Sequence, residues 1–221
     1  MANEIGNVQA STAFPAHNHG TKHNINVNRR GTSLVLPEFQ EMVALGNVFT
    51  VNIGIDTTPN VFTETAYDQD QPQFGLDIPS GTTVIPLSCS VYLENMAGTD
   101  NEVVFRMDDG LLGAGTSTAH TIHSMLQGAA DLQRASRCTA RIQYTGNAAA
   151  ITVGPEFIRW GNPFADEADS LPTPWSWVAG RDGVAPMAQG EACISGYGLG
   201  TSTDPEGFLN FTWAEFLTDE V

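Results

Sequence analysis

From Leu34 onward, apolar and polar residues of this chain mostly alternate. "NVFTVNIGI" (47–55) sets Phe49, Val51, Ile53 and Ile55 against Thr50, Asn52 and Gly54. That period of two predicts a strand with one buried face. "VIPLSCSVYLEN" (84–95) repeats the pattern over a longer run, with Ile85, Leu87, Cys89, Val91 and Leu93 expected on one face and Pro86, Ser88, Ser90, Tyr92 and Glu94 on the other. Proline cannot donate to a ladder, so Pro86 predicts a sheet edge or a bulge. "AGTD" (97–100) and "NEVVFRM" (101–107), with Val103, Phe105 and Met107 on one face, complete an expected hairpin. "CTARIQYTG" (138–146) alternates Cys138, Ala140, Ile142 and Tyr144 with Thr139, Arg141, Gln143 and Thr145, and "AAITV" (149–153) returns from it as a second expected hairpin. "EACISGYGLG" (191–200) and "GFLNFTWAEFL" (207–217) are the last two strands.

Two stretches break this rhythm toward a period near 3.6. "LPEFQEMVALG" (36–46) has Pro37 at a helix start, Phe39, Met42 and Val43 on one side, and Gly46 as a stop. "STAHTIHSMLQGAADLQRAS" (117–136) spaces Ile122, Met125, Leu126 and Leu132 helically, interrupted by Gly128. Residues 161–190, with Pro163, Pro172, Pro174 and Pro186 among tryptophans and glycines, are expected to form one long loop. Seven or eight strands without a βαβ rhythm predict an all-β sandwich. Short helical inserts between strands suit a single jelly roll. The immunoglobulin alternative lacks its Cys…Trp…Cys spacing.

Composition adds an arm to this picture. Residues 1–33 have no sustained periodicity and are built from Asn, His, Gly, Ala and Thr, so they are expected to be a flexible N-terminal arm before a sandwich domain over 34–221. The chain carries 25 acidic and 9 basic residues, a net charge of −16. A body so negative repels nucleic acid and anionic membranes. The arm differs, since Lys22, Arg29 and Arg30 outnumber Glu4. Two or three neutralised phosphates give weak, salt-sensitive affinity, so weak or no direct nucleic-acid binding is expected. No apolar run reaches the length of a membrane span and no secretory leader is recognisable, so neither export by that route nor a transmembrane segment is expected. Cys89, Cys138 and Cys193 are too few and too far apart for a disulfide framework and are expected to be buried small hydrophobes.

Catalytic and metal chemistry find little footing. His17, His19 and His23 have metal-capable side chains, but no Cys, Asp or Glu stands near to complete a tetrahedral set. His120 and His123 form half a site at most. "YGLGTSTDP" has a G-x-G without a following helix, and "GAGTSTAH" has no nucleophile elbow. The acidic turns at 68–71 and 108–110 extend into no Ca²⁺-loop pattern. No cofactor, metal or catalytic residue is therefore expected, and the chain is read as a non-enzyme.

With its arm, its sandwich over 34–221 and its closing "GYGLGTSTDPEGFLNFTWAEF" (196–216), the chain resembles the single jelly-roll capsid proteins of small icosahedral viruses and phages. The resemblance implies a virion protein that self-assembles into an icosahedral shell through arm, sheet edges and loops. Its partners would be copies of itself and other virion proteins, and an internal membrane inside such a shell is compatible with it. The arm here lacks the Arg/Lys-rich run of RNA-packaging members. Thirty-three extended residues reach up to ~110 Å, against a radius of gyration of ~17 Å for the body, so an arm can cross a neighbour. His17, His19, Lys22, His23, Arg29 and Arg30 are accordingly expected in an inter-subunit arm. Trp160, Trp175 and Trp177 are expected either to pack in a core or interface or to form an aromatic platform for sugar rings. The second option belongs to an alternative function, a carbohydrate-binding or adhesive β-sandwich of a spike or decoration module.

Overall fold

The computed structural model describes residues 38–54, 58–61, 68–95, 102–128, 134–146, 151–161, 174–199 and 206–220. Eight principal strands build two antiparallel sheets: β1 (Val48–Ile53), β2 (Phe74–Ile78), β3 (Thr82–Asn95), β4 (Glu102–Asp109), β5 (Glu156–Gly161), β6 (Pro174–Val178), β7 (Ala192–Leu199) and β8 (Glu206–Leu217). One sheet has the order β6-β3-β8-β1 and the other β2-β7-β4-β5. Short strands extend them: His123–Ser124 beside β1, Ala188–Gln189 beside β3, Asn60–Val61 beside β8, and Thr139–Ile142 beside β2 with Thr118–His120 beyond it. The protein is thus an all-β sandwich. The pairs β1–β8, β2–β7, β3–β6 and β4–β5 are nested in sequence, each inside the one before.

Inward positions of both sheets form one core. Phe49, Val51 and Ile53 of β1, Val103 and Phe105 of β4, and Leu209, Phe211 and Trp213 of β8 are buried in it, as the alternation predicts. Aromatic rings cross the sandwich in a continuous line. Phe49 meets Trp213 at 6.2 Å, Trp213 meets Phe211 at 6.0 Å, Phe211 stacks on Phe105 at 5.6 Å, Phe105 meets Phe157 at 6.4 Å, and Phe157 meets Trp177 edge-on at 5.9 Å. Burying each large apolar side chain contributes about 1.5–3 kcal/mol.

Helix α1 (Glu38–Ala44) matches the periodic stretch at 36–46. It ends in a Schellman motif: the Asn47 amide donates to the Met42 carbonyl and the Gly46 amide to that of Val43, with Gly46 at φ 72°. Met42 and Val43 pack with Val48, Ala214, Phe216, Ile85 and Leu87 on the outer side of the first sheet. Ile85 and Leu87 therefore do not share a face with Cys89 and Val91. Pro86 lies opposite Trp213 and Ser88 opposite Thr212, so Leu87 is an extra residue in β3, a bulge that exchanges inside and outside. Pro86 sits at this bulge, in the gap between β6, which pairs with Ser88–Tyr92, and Ala188–Gln189, which pairs with Thr83 and Val84. Its missing N–H leaves no gap in a ladder there.

Several other expectations are corrected. Residues 117–128 and 134–136 contain no helix; Thr118–His120 and His123–Ser124 are short strands held by pairing with Thr139–Ile142 and with β1. Both expected hairpins dissolve. β3 and β4 lie in different sheets, Thr139–Ile142 pairs with β2 and with Thr118–His120, and Thr152 bridges to Asp109. A hairpin and a crossover to the facing sheet share the same alternation and turn residues, which is why the pattern favours neither. Tyr144 leaves the face of Cys138, Ala140 and Ile142, because Gln143 at φ 55° redirects the chain and seats Tyr144 with Leu112 and Cys193 behind the second sheet. The supposed loop at 161–190 contains β6, which starts at Pro174 on a sheet margin.

Candidate assembly surfaces

The two outer faces of the sandwich differ. Behind the second sheet, Arg106 and Asp108 of β4 and Ser195 of β7 are fully buried. Asp108 pairs with the Arg106 guanidinium, accepts from Ser195 Oγ at 2.7 Å and accepts from the Gly154 amide at 2.9 Å. Arg106 Nη2 donates to the Tyr197 hydroxyl at 2.9 Å, and its guanidinium lies 5.2 Å from that ring's centre. Residue 154 must be glycine, because an added Cβ would fall 1.7 Å from the Met107 carbonyl oxygen. Next to this network Asp77 accepts from the amides of Leu112 at 2.7 Å and Gly113 at 3.0 Å. Burial outweighs those bonds and raises its carboxyl above the ordinary 3.8. The Cys193 thiol and the Tyr197 hydroxyl are each pushed up to about 12, chiefly by burial.

Beyond α1, the outer face of the first sheet is polar among the described residues, with Asn52, Ser90 and Ser176 exposed, Ser88, Asn210 and Thr212 half-buried and Thr50 buried. Its outward side chains form rungs across the strands: Thr50, Thr212 and Ser88 in one, then Asn52, Asn210, Ser90 and Ser176, then Phe208 and Tyr92. Thr212 donates to Thr50 Oγ1 at 3.1 Å, Asn210 Nδ2 donates to Thr50 Oγ1 at 3.2 Å and to Asn52 Oδ1, and Thr50 donates to the Phe211 carbonyl at 3.2 Å. No Asp, Glu, Lys or Arg occupies a described outward position on these rungs. Charge begins at the margins, where Arg181 pairs with Asp182 at 2.7 Å and donates to Ser176 Oγ at 3.2 Å, and where His123 lies beside Thr50.

The lateral edges of the sandwich are closed differently. On one side Trp160 of β5 and Trp175 of β6 meet ring to ring at 6.0 Å across the two sheets, both half-buried, while Trp177 is buried in the core. The β5 edge is charged: Arg159 bridges Glu102 at 2.6 Å and Glu156 at 2.8 Å. On the other side His120 Nε2 bonds the Asn52 carbonyl at 2.6 Å, tying a strand of one sheet to β1 of the other. An open hollow of about 290 Å³ lies beside it, lined by Phe49, Ile122, Arg134, Ser136 and Cys138 among others. Close to it Glu215, fully buried, accepts from Ser136 Oγ at 2.7 Å and the Arg137 amide at 2.9 Å.

No family model, curated protein or solved structure matches this chain. His17, His19, Lys22, His23, Arg29 and Arg30 lie outside the described residues. Among the described residues no three His, Cys, Asp or Glu side chains converge as a metal set, and no helix is long and apolar enough to cross a membrane. Cys89, Cys138 and Cys193 are free and buried, as expected of small hydrophobes. The neutral rungs and the Arg106–Asp108 network both escape the sequence reading. A signal for the rungs exists in the uniformly uncharged polar positions of "FTVNI", "LSCSVY" and "LNFTW", yet only the register shows that these align.

Proposed function

We propose that this protein is a structural subunit that assembles with copies of itself into a closed shell, as a virion capsid protein does, and that its sandwich is a jelly roll. The observation that carries the reading is the nesting of β1–β8, β2–β7, β3–β6 and β4–β5. Rolling one long hairpin into two sheets produces that order, and viral capsid domains are among the users of that architecture. Fold alone does not assign function. Further support is chemical. The buried carboxylates Asp108 and Glu215 are engaged by protein donors, and the Cys193 thiol is held protonated. The role is non-enzymatic, with the arm over 1–33 making contacts between subunits and little direct contact with nucleic acid.

The test is light scattering with negative-stain imaging of the full chain and of a version starting at Leu34, across a salt series. Copies at −16 repel until salt shortens the screening length to ~10 Å or less. Rings or shells from the full chain that grow with salt, and their loss on removing 1–33, are the expected result. Monomers of both at every salt level would overturn it. A carbohydrate-binding module is the second reading, favoured by the Trp160–Trp175 ring pair at the sandwich rim; glycan binding by a stable monomer would select it.

A further inference from the structure

We infer that the neutral face of the β6-β3-β8-β1 sheet is a contact between two copies of this chain, face to face. The inference rests on the shell reading and assigns one of its contacts. The chain carries a net charge of −16, and like charges set opposite each other oppose association. The rungs of Thr50, Thr212 and Ser88 and of Asn52, Asn210, Ser90 and Ser176 carry no such charge, while the Arg181–Asp182 pair and His123 stand at the margins. Charged residues are depleted at the centre of protein interfaces, as they are on these rungs.

Two features make the partner a second copy. A twofold contact sets each patch against itself, so its side chains must be their own complements. Hydroxyls and amides both donate and accept and meet that condition, whereas a carboxylate does not. The central groups also bond one another, Thr212 to Thr50 and Asn210 to Thr50 and Asn52, so burying them strands few polar atoms. Strands ~4.8 Å apart and same-face residues ~6.8 Å apart make a patch of ~400 Å² per copy, about half the ~800 Å² of a standard interface. Such a contact is weak singly and gains strength by repetition in an assembly.

The test is a charge exchange at the centre of the face. Ser90→Asp and Ser90→Arg are each compared with the full-length parent by sedimentation velocity and by shell yield, with Ser80→Asp, in an exposed turn off this face, as the control for added charge. Each Ser90 variant alone is expected to weaken association about tenfold or more. An equimolar mixture of the two restores it, and Ser80→Asp leaves it near the parent. Asn52→Asp, which keeps the acceptor for Asn210, repeats the loss with little disturbance of the sheet, and circular dichroism checks folding of every variant. If the parent assembles and the variants assemble equally well, this contact is wrong while the shell reading stands. If the parent never associates, both are wrong.

Discussion

Asp108 shows what a single side chain holds in place here. It balances the Arg106 charge behind the second sheet and receives Ser195 and the Gly154 amide. Removing one member of a buried ion pair costs about 3–5 kcal/mol, because the remaining charge keeps its desolvation penalty. Asp108→Ala is therefore expected to lower unfolding free energy by that amount in urea denaturation, and Ser195→Ala by about 1.5–3 kcal/mol, the worth of a hydrogen bond to a charged group. Asp77 makes stability depend on pH. Its folded carboxyl titrates above 3.8, so its contribution to stability is fully present below that value and is lost as pH rises through the folded one. Asp77→Asn should flatten this part of the stability profile, as measured by denaturation at a series of pH values. The difference between wild type and variant shifts in favour of wild type as pH falls toward 3.8.

At the scale of elements, the aromatic closure of the β5–β6 edge separates three tryptophans that look alike in sequence. Trp177 is buried against Phe157 and the core, whereas Trp160 and Trp175 remain half-buried at the rim. Trp177→Ala is expected to cost about 3–5 kcal/mol and Trp175→Ala about 1–2 kcal/mol in thermal or urea unfolding. The sequence reading places Trp175 and Trp177 in a loop because four prolines outweigh one short alternation, "PWSWV". Elsewhere the alternation is more informative. The inward faces of β1, β4 and β8 are legible from Phe49, Val103 and Leu209 onward, since a period of two survives any choice of partner strand. What alternation leaves out is a shift of one residue: Leu87 moves Ile85 to the α1 side, and Gln143 moves Tyr144 behind the second sheet. Pro86 points to the bulge but not to its consequence. The helical spacing at 117–136 misleads for a related reason. Ile122 packs on the core from a strand-rich segment while Met125 stays largely exposed, so the apparent stripe has no common face.

For the molecule as a whole, composition and rhythm lead to an all-β sandwich, while strand order does not follow from either. Turn residues after β3 are compatible with a return in the same sheet or a crossing to the other, and only pairings between distant segments decide. The neutral face has the same origin, for its rungs are assembled from four strands spread between Thr50 and Thr212. Those distant pairings also bear on how the protein is made. Thr50 bonds the carbonyl of Phe211, 161 positions later, and β1 finds its main partner only in β8. Such non-local topologies fold slowly, because loop-closure entropy is lost before the contacts form. The pair β1–β8 cannot close on the ribosome until Leu217, the end of β8, has emerged. A prematurely terminated chain lacks β8, which lies between β3 and β1 and carries Leu209, Phe211 and Trp213 into the core. A polypeptide broken off before Glu206 therefore leaves β1 and β3 without the strand that joins them, and the first sheet is split at its middle.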